Sequence, residues 1–332
     1  MRIDSLRLRL RELGAKPGHE SLVLKNWTRA LPLGAGRSRA EDFFPLALRT
    51  ALPQLAAELQ GIVRIAGRHP AADGSARLLL RLADGQSVES VLLPKGGLCV
   101  STQVGCAVGC TFCMTGRDGL LRQLGGAEIV AQVALARALQ PVKKVVFMGM
   151  GEPAHNLDNV LEAIDLLGAL GDIGHKNLVF STVGDRRVFE RLPQEEVQPA
   201  LALSLHTTKA DLRAQLLPRA PRIDPAELVE LGEAYARATG YPIQYQWTLL
   251  AGVNDGEDEI EGIARLLAGK YAVMNLIPYN AVDGLGYARP SQARAEAMSL
   301  ALYKRGILTK LRQSAGQDVD AGCGQLRARS IA

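Results

Sequence analysis

The sequence predicts an α/β protein, organised as a partial (βα)₆ barrel with a small N-terminal helical domain and a short antiparallel sheet. From residue 98 onward, short apolar strands alternate with helical patterns, which is typical of a parallel sheet with crossover helices. About six such units fit, fewer than the eight of a closed barrel. We therefore expect an open barrel.

The region before the barrel divides into two segments of different pattern. In residues 1–58 apolar positions recur at spacings of three and four, so we predict a helical accessory domain. In residues 59–95 short apolar runs flank Asp84-Gly85, a hairpin signal, and we predict a small antiparallel β extension. Residues 96–332 then form the barrel and a C-terminal tail.

The barrel is predicted from apolar runs that end in polar residues. The predicted strands are Leu98–Thr102, Lys144–Met148, Leu178–Thr182, Ala200–Leu205, Ile243–Leu249, Met274–Pro278 and Ile307–Arg312. The predicted helices between them are Glu128–Leu139, Leu157–Leu167, Pro225–Thr239 and Ile260–Leu267. Because the carboxyl ends of parallel strands meet at one edge of the sheet, we expect the functional site there.

Composition sets the broad class of protein. The chain has 332 residues, of which 47% are hydrophobic and 22% charged, which is ordinary for a soluble globular protein. No stretch approaches the roughly 18 apolar residues of a membrane span. The N-terminus lacks the apolar core of a secretory signal. We expect a cytoplasmic protein with no membrane partner.

The positive charge is concentrated at the two ends of the chain. Net charge is +5, and residues 1–40 hold nine Lys or Arg against three acidic residues. The stretch from residue 304 holds six basic residues against two acidic ones. Basic ends suit a polyanion such as RNA, and they serve solubility equally well.

Three cysteines, Cys106, Cys110 and Cys113, form a C-x₃-C-x₂-C run. A closed zinc site or a four-thiolate iron–sulfur cluster needs four ligands. For zinc, the nearest downstream histidine is His155, and no second C-x-x-C exists. Together with Phe112, this spacing resembles the radical S-adenosylmethionine (SAM) superfamily, whose [4Fe-4S] cluster keeps one iron open to chelate SAM.

Further polar residues follow the predicted strands. Gly151 and Glu152 form a turn that lets backbone approach a ligand, and the carboxylate suits the amino group of SAM. The alternative is a tight turn in which Glu152 is solvated or capping. His206 could contact a ligand or could be a satisfied core histidine. Short side chains suited to hydroxyls, carboxylates or base edges are those of Ser181, Ser204 and Asn280.

A last cysteine, Cys323, lies near the C-terminus between two glycines. Small neighbours leave its thiol unshielded, and a mobile tail could swing it into the barrel mouth. The alternative is an ordinary cysteine. An odd count of five cysteines without a secretory signal argues against a structural disulfide framework.

From Val88 to Leu326 the chain resembles the RlmN/Cfr family of bacterial radical SAM RNA methyltransferases, which methylate adenosine at C2 or C8. Its N-terminal region matches that family poorly, so we expect a divergent subgroup. The matching segments are V-E-S-V-L-L-P, L-C-V-S-T-Q-V-G-C-A-V-G-C-T-F-C, V-F-M-G-M-G-E-P, N-L-D-N-V, S-T-V-G, L-A-L-S-L-H, G-V-N-D, N-L-I-P-Y-N and D-A-G-C-G-Q-L.

The resemblance implies a role for each site residue. Cys106, Cys110 and Cys113 would hold the [4Fe-4S] cluster. Cys323 would carry a methyl group as S-methylcysteine, Cys99 would pair with it transiently in a disulfide, and Glu89 would be the proton acceptor. The implied SAM-binding residues are Gly151, Glu152, Ser181, Ser204, Leu205, His206 and Asn280.

The resemblance also implies a reaction that uses two SAM molecules per turnover. Carbon C2 of adenine is electron-poor and cannot attack the methyl group of SAM, whereas a cysteine thiolate can. One SAM would methylate Cys323, and the other would give the radical that activates this methyl group. The expected substrate is 23S rRNA, with tRNA as an alternative, and the expected electron donor is a flavodoxin or ferredoxin. We expect a monomer.

Other functions remain open at this point. The enzyme could act on another RNA or at C8 of adenine. It could also be a radical SAM enzyme that does not methylate, which would not need Cys99 or Cys323. A non-enzymatic RNA-binding module would use the basic ends but not the three clustered cysteines.

Overall fold

The computed structural model describes residues 2–282 and 284–328. Met1, Asp283 and residues 329–332, which the predicted domain ranges include, lie outside the described residues. The chain begins with helices that pack through Leu6, Leu10, Leu24 and Leu48. They are α1 (Ile3–Glu12), α2 (Pro17–Thr28), α3 (Ala40–Phe43) and α4 (Leu46–Gly61).

Three antiparallel strands follow, β1 (Val63–Pro70), β2 (Ala76–Leu82) and β3 (Ser87–Leu93). Strand β3 also pairs antiparallel with β4 (Gly97–Cys99), so the extension continues the barrel sheet instead of forming a separate one. A short turn after β3 makes this connection. The division of the chain into the domains 1–58, 59–95 and 96–332 stays a prediction.

After β4 a separate ribbon of β5 (Gln103–Gly105) and β6 (Leu120–Gln123) frames the cysteine loop. The remaining elements alternate as in a wound barrel. They are α5 (Gly126–Arg137), β7 (Lys144–Phe147), α6 (Leu157–Ala169), β8 (Leu178–Thr182), α7 (Arg186–Arg191), β9 (Ala200–Ser204), α8 (Ala210–Leu216), α9 (Pro225–Thr239), β10 (Ile243–Leu249), α10 (Glu257–Leu267), β11 (Ala272–Pro278), α11 (Gln292–Lys304) and β12 (Thr309–Leu311).

Each predicted barrel strand is present, in the order β4-β7-β8-β9-β10-β11-β12, and neighbouring strands are parallel. The first and last are shorter than predicted, because the chain leaves the sheet at Cys99 and Leu311. Helices α7, α8 and α11 were not predicted. Their apolar stripes are short or weak.

Alternation along the strands separates two faces of the sheet. On β7, Val145 and Phe147 join the large core formed with the helices, whereas Val146 packs inside the barrel with Val179 and Ala202. Parallel strands are thereby buried on both faces. Within the part of the chain that the structure describes, none of the helices combines the length and apolar character that crossing a bilayer demands.

Candidate active site at the carboxyl ends of the strands

The cysteine loop is held compact by glycines. A Cβ at Gly105 would lie 2.0 Å from the carbonyl oxygen of Gly119, where the two ends of the loop pass each other. A Cβ at Gly116 would lie 2.8 Å from the Cα of Gly109. Only glycine permits such approaches, so the loop can gather its cysteines on one side.

The three thiols pack together with Phe112 and Tyr279. Burial raises the pKa of Cys106 to about 12, and burial also raises the pKa of Cys110 and of Cys113. For Cys106 and Cys110 the neighbouring thiols add to this effect. Because metal ligation requires thiolates, binding a cluster would release protons.

The cysteine loop and the residues beside it offer donor atoms for a metal cluster and its polar ligand. Among the described residues, no three His, Cys, Asp or Glu side chains are gathered as for one metal ion. A polynuclear cluster attaches each thiolate to a different iron. Beside the loop, Arg213 Nε and Tyr279 Oη are buried and have no hydrogen-bond partner within the described chain. A buried polar atom without a hydrogen-bond partner destabilises the folded protein unless a ligand bonds to it. The three thiols and these two polar atoms therefore fit a cluster that carries a polar ligand.

The glycine–glutamate turn follows β7. Gly151 has φ of +105°, and a Cβ there would lie 2.6 Å from Cβ of Gln103. The Gln103 Oε1 atom accepts a hydrogen bond from the backbone N–H of Glu152 at 2.7 Å. Gln103 therefore shapes this turn, and only its place just before the cysteine loop could have indicated this role.

The Glu152 carboxylate caps the same turn. Its Oε1 accepts from the N–H of Ala154 at 3.1 Å and its Oε2 from the N–H of Val183 at 3.0 Å. Burial raises the pKa of Glu152 to about 7, although these hydrogen bonds oppose the shift. Its charge acts on the thiols of Cys106 and Cys110. Glu152 therefore acts as a capping residue, which was the alternative to a ligand-binding role, and its carboxylate also lies beside the cysteine loop.

Ser181 and Ser204 lie half-buried at the ends of neighbouring strands. Ser181 pairs in register with Ala202, two residues before Ser204, so both serines face the barrel interior. The carbonyl oxygen of Ser204 accepts a hydrogen bond from Arg213 at 3.1 Å. Arg213 comes from α8, a helix that was not predicted, and so was missed.

Leu205 and His206 continue from β9 into the site. Leu205 is fully buried, and its N–H donates to the carbonyl oxygen of Gln246 at 3.1 Å. The Nδ1 atom of His206 accepts from the N–H of Thr248 at 3.0 Å, and its ring meets Phe112 edge-on. Burial lowers the pKa of His206 to about 3. The histidine is therefore neutral, with its Nε2 edge left for a ligand or for packing.

The C-terminal tail crosses the cysteine loop. The Nδ2 atom of Asn280 donates to the carbonyl oxygen of Cys323 at 3.0 Å. A Cβ at Gly322 would lie 2.8 Å from this Nδ2 atom, so a larger residue there would displace the Asn280 amide. The N–H of Met114 donates to the carbonyl oxygen of Gly324 at 2.8 Å. The structure thus brings the tail to the predicted site.

Cys323 faces the other thiols. Cys323 is an exposed residue, and desolvation by the surrounding protein raises the pKa of its thiol to about 11, with a contribution from the charge of Cys113. Burial raises the pKa of Cys99 to about 12, with a contribution from Cys323. The tail lies against Cys113, since a Cβ at Gly324, the residue after Cys323, would be 3.9 Å from Cα of Cys113. All cysteines of the chain lie in the described residues, and all are free thiols.

Glu89 lies on β3, and its carbonyl oxygen accepts a hydrogen bond from Ser101 Oγ, which in turn accepts from the N–H of Met150 beside the glycine–glutamate turn at 2.8 Å. Glu89 is fully buried and forms an ion pair with Arg77. Its Oε2 accepts from the N–H groups of Arg327 and Ala328 at 2.6 and 2.9 Å. The structure therefore places the predicted proton acceptor beneath the tail.

The basic N-terminus is largely engaged in internal ion pairs. Arg7 and Arg11 bind Glu20 at 2.6 and 2.9 Å, and Arg9 binds Glu58. These contacts hold α1 against α2 and α4. Much of the N-terminal charge excess therefore stabilises the helical region itself.

Two solvent-exposed lysines lie on the interior side of barrel strands, Lys144 at the amino end of β7 and Lys310 on β12. Lys144 lies on the same face as the interior residue Val146, and Lys310 pairs in register with Asn275 across β11 and β12. Burial lowers the pKa of Lys144, and the charges of Arg312 and Lys310 add to this effect. These cations approach one another across the open barrel. The position of these lysines follows from the strand register, which cannot be seen by counting basic residues along the sequence.

The fold and the three-cysteine loop define a radical SAM protein. The radical SAM superfamily matches residues 100–267. A crystal structure of a radical SAM methyltransferase from Sphaerobacter thermophilus has a TM-score of 0.86 and 35% identity, covering 99% of this chain and 98% of that one.

Two curated relatives are similar to this chain in sequence over its whole length. A protein named "Probable RNA methyltransferase" from Aromatoleum aromaticum is 74% identical over 332 residues, which are 100% of this chain and 94% of the relative. One of the same name from Leptothrix cholodnii is 72% identical, covering 100% of this chain and 96% of the relative. The chain therefore belongs to the radical SAM superfamily and, within it, to the family of these relatives.

Proposed function

We propose that the chain is a SAM-dependent RNA methyltransferase of the RlmN/Cfr type, which methylates C2 of an adenosine through S-methylcysteine at position 323. The proposed substrate is 23S rRNA, with tRNA as a second substrate. The position of Cys323 carries this proposal. A radical SAM enzyme without a cysteine carrier would have no need to hold a C-terminal thiol against the cysteine loop.

Each site residue has a distinct part in the proposed reaction. Cys106, Cys110 and Cys113 hold a [4Fe-4S] cluster, which together with SAM supplies a methyl donor and a carbon radical able to remove hydrogen. The SAM-binding residues are those at the strand ends and the glycine–glutamate turn. The unpartnered Nε of Arg213 adds a cationic donor to them.

The carrier thiol and its partner complete the transfer. Cys323 receives the methyl group. After this methyl group loses a hydrogen atom, its carbon bonds to the adenine ring while still attached to sulfur, and the ring radical gives up one electron, which replaces the electron that SAM cleavage consumed. Glu89 accepts the ring proton, after Arg327 and Ala328 have left its Oε2 atom. The Cys99 thiolate then attacks the sulfur of Cys323, so that an S–S bond forms as the carbon–sulfur bond breaks, and the released carbon takes up a proton to become the methyl group on the ring. Two electrons and two protons from cellular thiols restore both cysteines.

Two cysteine variants test this proposal. The protein is reconstituted anaerobically with iron and sulfide and incubated with RNA and SAM bearing a deuterated methyl group. We expect Cys323→Ala to abolish methyl transfer while SAM is still cleaved. We expect Cys99→Ala, a matched change of the neighbouring thiol, to accumulate a covalent protein–RNA adduct, because release is blocked.

The outcomes separate the competing functions. Methylated RNA made by Cys323→Ala would refute the carrier role. SAM cleavage without any methylated nucleoside in the unaltered protein would indicate a non-methylating radical SAM enzyme. Failure to bind iron would favour an RNA-binding module. Mass spectrometry of the nucleosides distinguishes C2 from C8 and identifies the RNA.

A further inference from the structure

The segment that carries Cys323 is attached to the antiparallel extension on its upstream side. The N–H of Gly316 donates to Oδ2 of Asp73, in the turn between β1 and β2, at 3.0 Å. The Nε atom of Arg77 on β2 donates to the carbonyl oxygen of Val319 at 2.8 Å. These contacts join the strands of the extension to residues just before Cys323.

The same segment is attached to the extension on its downstream side. The N–H groups of Arg327 and Ala328 both donate to Oε2 of Glu89 on β3, at 2.6 and 2.9 Å. Glu89 is fully buried, so these charge-assisted hydrogen bonds are shielded from water. Cys323 therefore lies between two attachment points, each of which ends on the extension.

One buried ion pair connects these two attachment points. Arg77 binds Glu89, and each side chain is 1% exposed. The pairing register places Arg77 opposite Val91 and Glu89 opposite Leu79, so the two charges are diagonal neighbours on the same face. Removing the Arg77 charge leaves the buried Glu89 carboxylate without this cation, which disturbs both flanks of the Cys323 segment at once.

We propose that the Arg77–Glu89 pair is a clamp that holds the Cys323 segment over the cysteine loop, with Arg77 as a positioning residue for the carrier thiol. Arg77 fixes the chain before Cys323 through Val319 and orients the carboxylate that fixes the chain after it. The antiparallel extension is thereby the surface to which the C-terminal tail binds. The relevance of the clamp to catalysis rests on the proposed function, but the clamp itself does not.

Hydrogen exchange measures the clamp directly. In the full chain with its cluster reconstituted, and without RNA, we expect Arg77→Met to accelerate amide exchange across residues 317–328 by about tenfold or more. We expect Glu89→Gln to accelerate exchange mainly at Arg327 and Ala328. Arg81→Met is the matched control, because Arg81 is an exposed arginine on the same strand, and it should leave exchange unchanged.

Disulfide formation reports the position of the thiol. Diamide removes two electrons and two protons as Cys99 and Cys323 join. We expect Arg77→Met to slow this reaction about tenfold, because a released tail lowers the effective concentration of Cys323 near Cys99. Arg77→Lys keeps the charge and should restore part of the rate. A general loss of stability would not give this pattern of rescue.

The results that overturn the clamp are specific. Wild-type exchange over residues 317–328 in a folded Arg77→Met protein would refute it. If Arg77→Met does not fold, unchanged exchange at Arg327 and Ala328 in Glu89→Gln would refute it instead. Neither measurement uses RNA or methyl transfer, so failure of the clamp is distinguishable from failure of the proposed function.

Discussion

Replacing Glu152 by glutamine removes one buried charge at the glycine–glutamate turn and keeps its shape. In the folded protein burial raises the pKa of this carboxyl from its ordinary 4.5 to about 7. The native state therefore binds a proton more tightly than the unfolded chain does. The free energy of unfolding must fall as pH rises through this window, and must level off above about pH 7.

The shift sets the size of the effect. A difference of about 2.5 pKa units corresponds to about 3 kcal/mol, of which about 2.5 kcal/mol is lost between about pH 5 and pH 8. Glutamine has no such proton. It also offers one acceptor where the carboxylate serves both Ala154 and Val183, which costs about 1–3 kcal/mol independently of pH. The raised pKa is therefore detected by the pH dependence of the free energy of unfolding, and not by its absolute value.

Urea unfolding of the cluster-free full chain, kept reduced, measures this difference. Between about pH 5 and pH 8 the unaltered protein should lose about 2.5 kcal/mol more stability than Glu152→Gln. Glu230→Gln, a change at an exposed carboxylate, should follow the unaltered protein. Parallel pH curves for the unaltered protein and Glu152→Gln would refute the raised pKa.

Two further predictions concern ligand binding. Gly151→Ala should weaken SAM binding about tenfold in calorimetric titration, because its Cβ would lie 2.6 Å from Cβ of Gln103 and φ is +105°; an unchanged affinity would contradict the close approach. Replacing Lys144 and Lys310 together by methionine should weaken RNA binding for all sequences. The slope of the logarithm of the binding constant against the logarithm of the salt concentration should become shallower by about one to two. Lys270→Met, a change at a half-buried lysine that pairs with Glu230, is the control. An unchanged salt dependence of RNA binding in the double variant would exclude Lys144 and Lys310 from the RNA surface.

Some elements were predictable because local chemistry determines them. The helix Pro225–Thr239 has the predicted bounds. Asp224 caps it by accepting from the N–H of Ala226 at 2.8 Å, and Gly240 ends it with φ of 73°. A capping carboxylate, a proline at the first position and a left-handed glycine are all visible in sequence.

The residues at strand ends were predictable for a topological reason. Parallel strands deliver their carboxyl ends to one edge, so Ser204 and Asn280 reach the same region from distant parts of the chain. Gln103 and Arg213 were not found, because neither belongs to a periodic pattern or a recognisable motif. Their roles depend on distances to backbone atoms, which sequence spacing does not give.

The clamp was beyond sequence reasoning because its contacts are remote. The bond from Arg327 to Glu89 joins residues 238 positions apart. The pattern predicted a small antiparallel extension, but local patterns cannot show that its buried face carries an ion pair under the tail. In a sequence, a charged residue that will be buried cannot be distinguished from an exposed one, because its partner is known only from the structure.

The contacts of the tail indicate how Cys323 can be held firmly and still be released. Hydrogen bonds hold the segment, and its buried apolar side chains are chiefly Ala321 and Leu326. Each neutral bond contributes about 1 kcal/mol net and each bond to the Glu89 carboxylate about 1.5–3 kcal/mol, and so little apolar area adds only a few kcal/mol more. Undocking therefore costs far less than opening the barrel core. A carrier that must meet the cysteine loop, then an RNA base, then Cys99 needs this balance, which a tail packed through a large apolar face would not have.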